Sequence, residues 1–201
     1  MTRQELSLDG ISFDFEPYGE VTIPLAGAYQ SKNAALAITA LELLREKGYK
    51  ISNADIISGI AKVQWPGRFE VLGRNPVFIL DGAHNPQAME VTAESLQRHF
   101  GGRKIIFLMG VMADKDIDSM MSIIEPLAEM FFAVRPCYYR AMDAKTLAEK
   151  LKRTGVPVVA FDRLSDGVAA ALNRSGKDGI VCALGSLYFS GEIREAYSLL
   201  C

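Results

Sequence analysis

Residues 78 to 87, FILDGAHNPQ, run an apolar stretch straight into an acid, a glycine, a histidine, an asparagine and a proline. Val77, Phe78, Ile79 and Leu80 read as a buried strand, and Asp81-Gly82-Ala83-His84-Asn85-Pro86 as its exit. Asn85 and Pro86 make a helix start: the amide side chain accepts from unpaired backbone N–H groups, and proline at the first helical position gives up a donor that has no partner. Capping explains those two residues and leaves Asp81 and His84. A carboxylate at the tip of an apolar strand is costly unless something binds it. Such an acid suits a ribose diol, accepting from two hydroxyls. A histidine beside a helix N-terminus suits a proton, a carboxylate or a phosphoryl group.

Three further stretches could carry chemistry. Trp65-Pro66-Gly67-Arg68-Phe69-Glu70 is either a linker with a surface arginine or a tight turn aiming a two-pronged donor at a phosphate. Trp65 is expected to pack a domain junction. Asp114-Lys115-Asp116 follows an apolar run and reads either as a solvated helix start or as the edge of a ligand cleft. Gly185-Ser186-Leu187-Tyr188 is either a strand-to-helix turn or a set of amides plus the Ser186 hydroxyl that holds a carboxylate. His99, at a helix end before Gly101-Gly102, needs only a charge–dipole role. No G-x-x-x-x-G-K-[ST] and no G-x-G-x-x-G occurs, so the chain has neither a phosphate cradle nor a dinucleotide fingerprint of its own. That absence argues against a dehydrogenase. Three widely spaced cysteines form no CxxC or Cys/His cluster, so no metal site is expected, and Cys182 reads as a small core residue.

These residues need a scaffold, and the pattern supplies one. Residues 5–25 alternate at period two, with turn signals at Asp9-Gly10 and Pro17-Tyr18-Gly19, as in a small antiparallel meander. An amphipathic helix follows, its apolar face assigned to Ala34, Leu36, Ala37, Leu41 and Leu44 and its stop to Gly48; a shorter helix is capped by Ser52 or Asn53. After residues 62–66 the texture changes. Apolar strands alternate with helical stretches at 86–100, 115–130, 143–154, 165–174 and 190–199. Strands apolar throughout, each followed by a helix, indicate an α/β, Rossmann-like, mainly parallel sheet with helices on both faces. The expected domains are 1–62 and 63–201. The candidate residues fall at carboxyl ends of these strands, where open parallel sheets bind ligands.

The 201 residues carry a formal net charge of −2, which steers toward neither nucleic acid nor an anionic membrane. The apolar runs are too short to span a bilayer, and the polar N-terminus is no signal peptide. A cytoplasmic location is expected.

GAYQSKNAALAITAL, WPGRFEVL, LDGAHNPQA, GVMADKD and GSLYFSGEIR stand in the order seen in folylpolyglutamate synthase and dihydrofolate synthase, ligases related to the Mur enzymes, and the chain resembles that family from about residue 20 onward. The resemblance implies an ATP-dependent amide ligase. ATP phosphorylates a folate or dihydropteroate carboxylate, and the amine of L-glutamate attacks the acyl phosphate. By resemblance, Asn33, Arg68 and Asp81 bind ATP, with Gln30 adjacent. His84 is the catalytic candidate and, with Ser186, lies near the incoming glutamate. Asp114, Lys115 and Asp116 line the cleft edge. The P-loop and the Mg²⁺ ligands belong to an N-terminal half outside this chain. Residues 1–62 then correspond to the end of a central ATP-binding domain, and the isolated chain is expected to be inactive. The alternative is a non-catalytic module that binds a nucleotide or carboxylate and docks a partner.

Overall fold

A computed structural model describes residues 4–201, and the chain divides into two compact units, Met1–Pro66 and Gly67–Cys201. In the first unit, β1 (Gln4–Ser7), β2 (Gly10–Phe15) and β3 (Gly19–Ile23) form the antiparallel meander expected from the alternation. Ile11, Phe13, Val21 and Ile23 are buried on one face, where they meet Ala34, Ile38 and Ile56 from two helices. Ser12 and Thr22 stand opposite each other, their hydroxyls 2.8 Å apart. Helix α1 spans Gln30–Glu46 and α2 spans Asn53–Ile60. Ser52, not Asn53, caps α2: its side chain accepts from Asp55 N–H while the Asp55 carboxylate accepts from Ser52 N–H.

The buried stripe of α1 differs from the one expected. Ala34 and Ile38 are buried and Leu41 partly so, whereas Leu36 is 70% exposed and Ala37 and Leu44 are also exposed. Leu36 sits about 200° around the helix from Ala34, so the two cannot share a face. This helix carries leucines on most of its circumference, and packing on the sheet selects one stripe.

The second unit is a six-stranded sheet in the order β4-β5-β9-β6-β7-β8. The strands are β4 (Glu70–Arg74), β5 (Val77–Leu80), β6 (Ile105–Met109), β7 (Ala128–Ala133), β8 (Val158–Ala160) and β9 (Ile180–Leu184). Helices α3 (Pro86–Phe100), α4 (Ile117–Ile124), α5 (Ala144–Leu151), α6 (Leu164–Ser175) and α7 (Ser190–Ser198) alternate with them. Central strands β6 and β9 are buried at every residue, as continuous apolar runs require when both faces are covered. On one face Phe78, Leu80, Leu108, Phe132 and Val181 pack with Val168 of α6 and Ile193 of α7. Alternate residues such as Phe107 and Phe131, whose rings lie 5.8 Å apart, point the other way.

Two elements depart from the sequence reading. Helix α4 ends at Ile124, not near 130, because Pro126 has no N–H to continue it; a 3-10 turn over Glu125–Leu127 leads directly into β7. The stretch after Arg68 is a strand, β4, which pairs antiparallel with β5 at the edge of an otherwise parallel sheet. Its ladder is interrupted by a bulge between Val71 and Gly73. A methyl group on Gly73 would lie 1.8 Å from the Tyr197 hydroxyl oxygen, so the aromatic side chain occupies that place.

Candidate active site in the second unit

Five parallel strands end on one edge of the sheet, and the reversed β4 begins there. The residues just before β4 are therefore delivered to the same edge as the turns that follow β5, β9 and β6. Backbone bonds stitch these turns together. Gly82 N–H donates to the Gly67 carbonyl at 2.7 Å, Gly185 N–H to Ala83 at 2.8 Å, and Gly110 N–H to Leu184 at 3.3 Å. Gly185 adopts φ +115°, and a Cβ there would fall 2.7 Å from the Gly110 carbonyl oxygen, so the turns meet with no room for a side chain.

Within this edge, Arg68, Asp81, His84 and Ser186 lie on adjoining turns. Arg68 is half-buried between Gly67, at φ +72°, and Phe69, a buried non-glycine residue at φ +50°. A methyl group on Gly82 would lie 3.1 Å from an Arg68 guanidinium nitrogen and 2.2 Å from Leu187 Cδ2. Gly82 thus lets the arginine and Leu187 lie against bare backbone. The Phe69 ring stacks on His99 with centroids 5.4 Å apart, so His99 does more than face a helix dipole. Trp65, ahead of the turn, is 51% exposed.

Asp81 is 2% exposed, and its carboxylate is well supplied with donors. One oxygen accepts from Phe69 N–H at 2.7 Å; the other accepts from Ala83 N–H at 2.7 Å and from the Thr92 hydroxyl at 3.2 Å. The fold itself therefore supplies partners for this strand-end acid. The acid joins the start of β4, the end of β5 and helix α3. Burial still outweighs those three bonds and the nearby Arg68, and pushes the Asp81 carboxyl above its ordinary value of 3.8.

His84 is half-buried, and its Nδ1 lies 2.8 Å from the Gly82 carbonyl oxygen. A carbonyl only accepts, so Nδ1 carries the proton and Nε2 is left for a ligand. Asn85 caps α3 by accepting from Ala88 N–H at 2.8 Å, with Pro86 at the first helical position. Ser186 is buried, and its hydroxyl oxygen accepts from Tyr188 N–H at 3.0 Å, closing a local turn.

Asp114, Lys115 and Asp116 follow β6. Asp114 lies 3.9 Å from Lys115 and 3.9 Å from Arg140, while Asp116 caps α4 by accepting from Ser119 N–H at 3.1 Å. Asp116 is thus a helix start, one of the two readings its sequence allowed. Arg140 also lies over the rings of Tyr138 and Tyr139, 5.5 and 5.9 Å from their centroids, and Tyr138 stacks on Tyr188 at 4.1 Å. A hydrogen bond with Tyr188, with help from Arg140, holds the Tyr138 phenol below its ordinary value. A cleft of about 420 Å³ opens here, lined by Arg135, Pro136, Cys137, Tyr138, Tyr139 and Asp162. No sequence pattern marks the tyrosines, whose clustering depends on β7 and β9 being only one strand apart.

In the first unit, Asn33 is exposed near the start of α1, and its Nδ2 donates to Oε1 of the buried Gln30 at 2.9 Å. That bond leaves the Asn33 carbonyl oxygen as an acceptor. Among the described residues, no group of three or more His, Cys, Asp or Glu side chains could hold a metal ion. No helix among them is long and apolar enough to cross a membrane.

The profile of the "Mur ligase, glutamate ligase domain" family matches residues 67–187. Over 180 residues the chain is 31% identical to dihydrofolate synthase/folylpolyglutamate synthase of Bacillus subtilis, covering 89% of this chain and 41% of that protein. Against folylpolyglutamate synthase of Lacticaseibacillus casei it is 29% identical over 182 residues, covering 88% and 40%. The structure of Mycobacterium tuberculosis folylpolyglutamate synthase complexed with ADP and AMPPCP superposes with a TM-score of 0.83 at 25% identity, covering 98% of this chain and 46% of that one. The chain therefore spans less than half the length of these relatives and aligns with them over nearly all of itself. With its matched segment spanning more than half of the chain, from the Gly67 turn to the turn after β9, the chain belongs to the Mur ligase, glutamate ligase domain family.

Proposed function

We propose that this chain is the C-terminal part of an ATP-dependent amide ligase that adds L-glutamate to a folate or dihydropteroate carboxylate. The observation that carries the reading is the Gly67–Phe69 turn, which holds Arg68 at the sheet edge beside the turn bearing His84. In the reaction a substrate carboxylate oxygen attacks the γ-phosphorus of ATP and releases ADP. The glutamate amine then attacks the acyl carbon, phosphate leaves, and the amine loses a proton. Arg68 neutralises charge on the transferred phosphoryl group. Asn33 binds ATP through its carbonyl acceptor. Asp81 serves the nucleotide side by fixing the residues on either side of the strand exit. His84 Nε2 takes up the amine proton or holds the incoming glutamate, and Ser186 and its turn border that glutamate. Asp114 and Lys115 form the cleft edge. ADP and AMPPCP in the matched structure support the nucleotide assignment. Residues 1–62 are read as the end of the central ATP-binding domain and 63–201 as the C-terminal domain. Mg²⁺ would be held by ligands in the P-loop half, since the described residues offer no cluster for it.

The test joins this chain to a P-loop half of the family and measures glutamate addition. Arg68→Ala should lower kcat/KM by about a hundredfold, and His84→Ala should lower kcat with the fold intact. Near-normal turnover in both variants would overturn these residue roles, whereas ATP binding with no glutamate addition by the joined wild-type protein would favour the non-catalytic module.

A further inference from the structure

Arg68 is flanked by two residues in left-handed or near-left-handed backbone, Gly67 at φ +72° and Phe69 at φ +50°. For phenylalanine that conformation is disfavoured by about 1 kcal/mol or more. The turn therefore needs outside support, and two carboxylates supply it from opposite sides. Asp81 accepts from the N–H of Phe69, the residue after Arg68, at 2.7 Å. Glu70 accepts from the N–H of Gly67, the residue before Arg68, at 2.7 Å. Glu70 in turn receives a two-point contact from Arg194 of α7, with Nη2 at 2.7 Å and Nε at 3.3 Å.

We propose that the Glu70–Arg194 pair is a clamp that sets the aim of Arg68, and that both are positioning residues for phosphate binding. The phosphate half of this inference rests on the function proposed above. The Arg194 and Glu70 side chains keep 41% and 26% of their exposure, and an ion pair this open adds little to global stability. Its geometry does something else. The Glu70 oxygen that accepts from Gly67 also takes the shorter Arg194 contact, so α7 is tied through one carboxylate to the backbone beside Arg68. α7 begins just after the Gly185–Tyr188 turn, and Leu187 of that turn would lie 3.1 Å from a Cβ on Gly67. The last helix and the turn before it therefore both bear on the arginine's backbone.

The experiment uses the 201-residue chain and reads Arg68 directly by NMR. Wild type should show an ordered Arg68 Nε–H, with an order parameter of about 0.8, falling below about 0.6 in Glu70→Ala. Gly67 amide exchange should accelerate at least tenfold, while the amides of Ile180–Leu184 stay protected as a control for folding. Glu70→Gln keeps an acceptor for Gly67 and should loosen Arg68 only partly; Arg194→Lys should restore part of what Arg194→Ala loses. ATP is then titrated into each variant. Glu70→Ala should weaken ATP binding at least fivefold, and Arg68→Ala/Glu70→Ala should bind no more weakly than Arg68→Ala alone. If Glu70→Ala leaves Arg68 and Gly67 unchanged, there is no clamp. If it loosens them but the Arg68 resonance ignores ATP, the clamp stands and the phosphate role is overturned.

Discussion

Asp81 is a carboxylate under two opposed pressures: three donors favour its charged form, and burial favours its neutral one. Burial prevails, so the folded chain holds a proton at pH values where the unfolded chain has released it. The stability this group contributes is full below the ordinary value of 3.8 and is lost as pH rises through the raised folded value. Asp81→Asn cannot titrate. The stability of wild type relative to that variant should therefore improve as pH falls from 7 toward 4, measured by urea unfolding at each pH; a constant difference would refute the raised value. At the same scale, Asn85→Ala removes one capping bond and should cost about 1 kcal/mol, with ATP binding unchanged. Asn85 was readable from its neighbours because a cap is a local device. Asp81 was not. The Ala83 donor is local, but the other two come from Phe69 and Thr92, 12 and 11 residues away, and no local pattern reveals them.

Among the elements, Gly185 sets the turn after β9 directly against the Gly110 backbone. Alanine there would have to keep φ near +115° and place its methyl 2.7 Å from a backbone carbonyl that cannot swing aside. Gly185→Ala should cost about 2 kcal/mol or more, and the Gly110 amide should exchange faster. The helix over 86–100 and the apolar strands were legible because burial on two faces demands unbroken apolar runs. Strand β4 was not. Glu70-Val71-Leu72-Gly73-Arg74 carries a charge at each end, a glycine inside and a bulge, so it neither alternates nor runs apolar. Yet its reversed direction is what brings Arg68 to the ligand edge. For α1 the pattern gave the helix but not its buried stripe, because a leucine-rich surface offers more than one.

For the molecule as a whole, each unit has its own core, and no residue of one core cluster appears in the other. Ile38→Ala, in the first unit, should cost that unit about 3 kcal/mol. Hydrogen exchange should then rise across β1 to β3 while Ile180–Leu184 keep their protection; uniform acceleration would show a single cooperative fold. The change of texture at residues 62–66 falls beside the division between Pro66 and Gly67. The bulged edge has a consequence of its own for how the protein behaves in a crowded cell. A straight outer strand is an open template on which another chain can add a strand and seed aggregates. The irregular step at Val71–Gly73, backed by Tyr197, breaks that template at one border of the sheet, and the three-residue length of β8 shortens it at the other. The strand that presents the arginine is also one that other chains will find hard to extend.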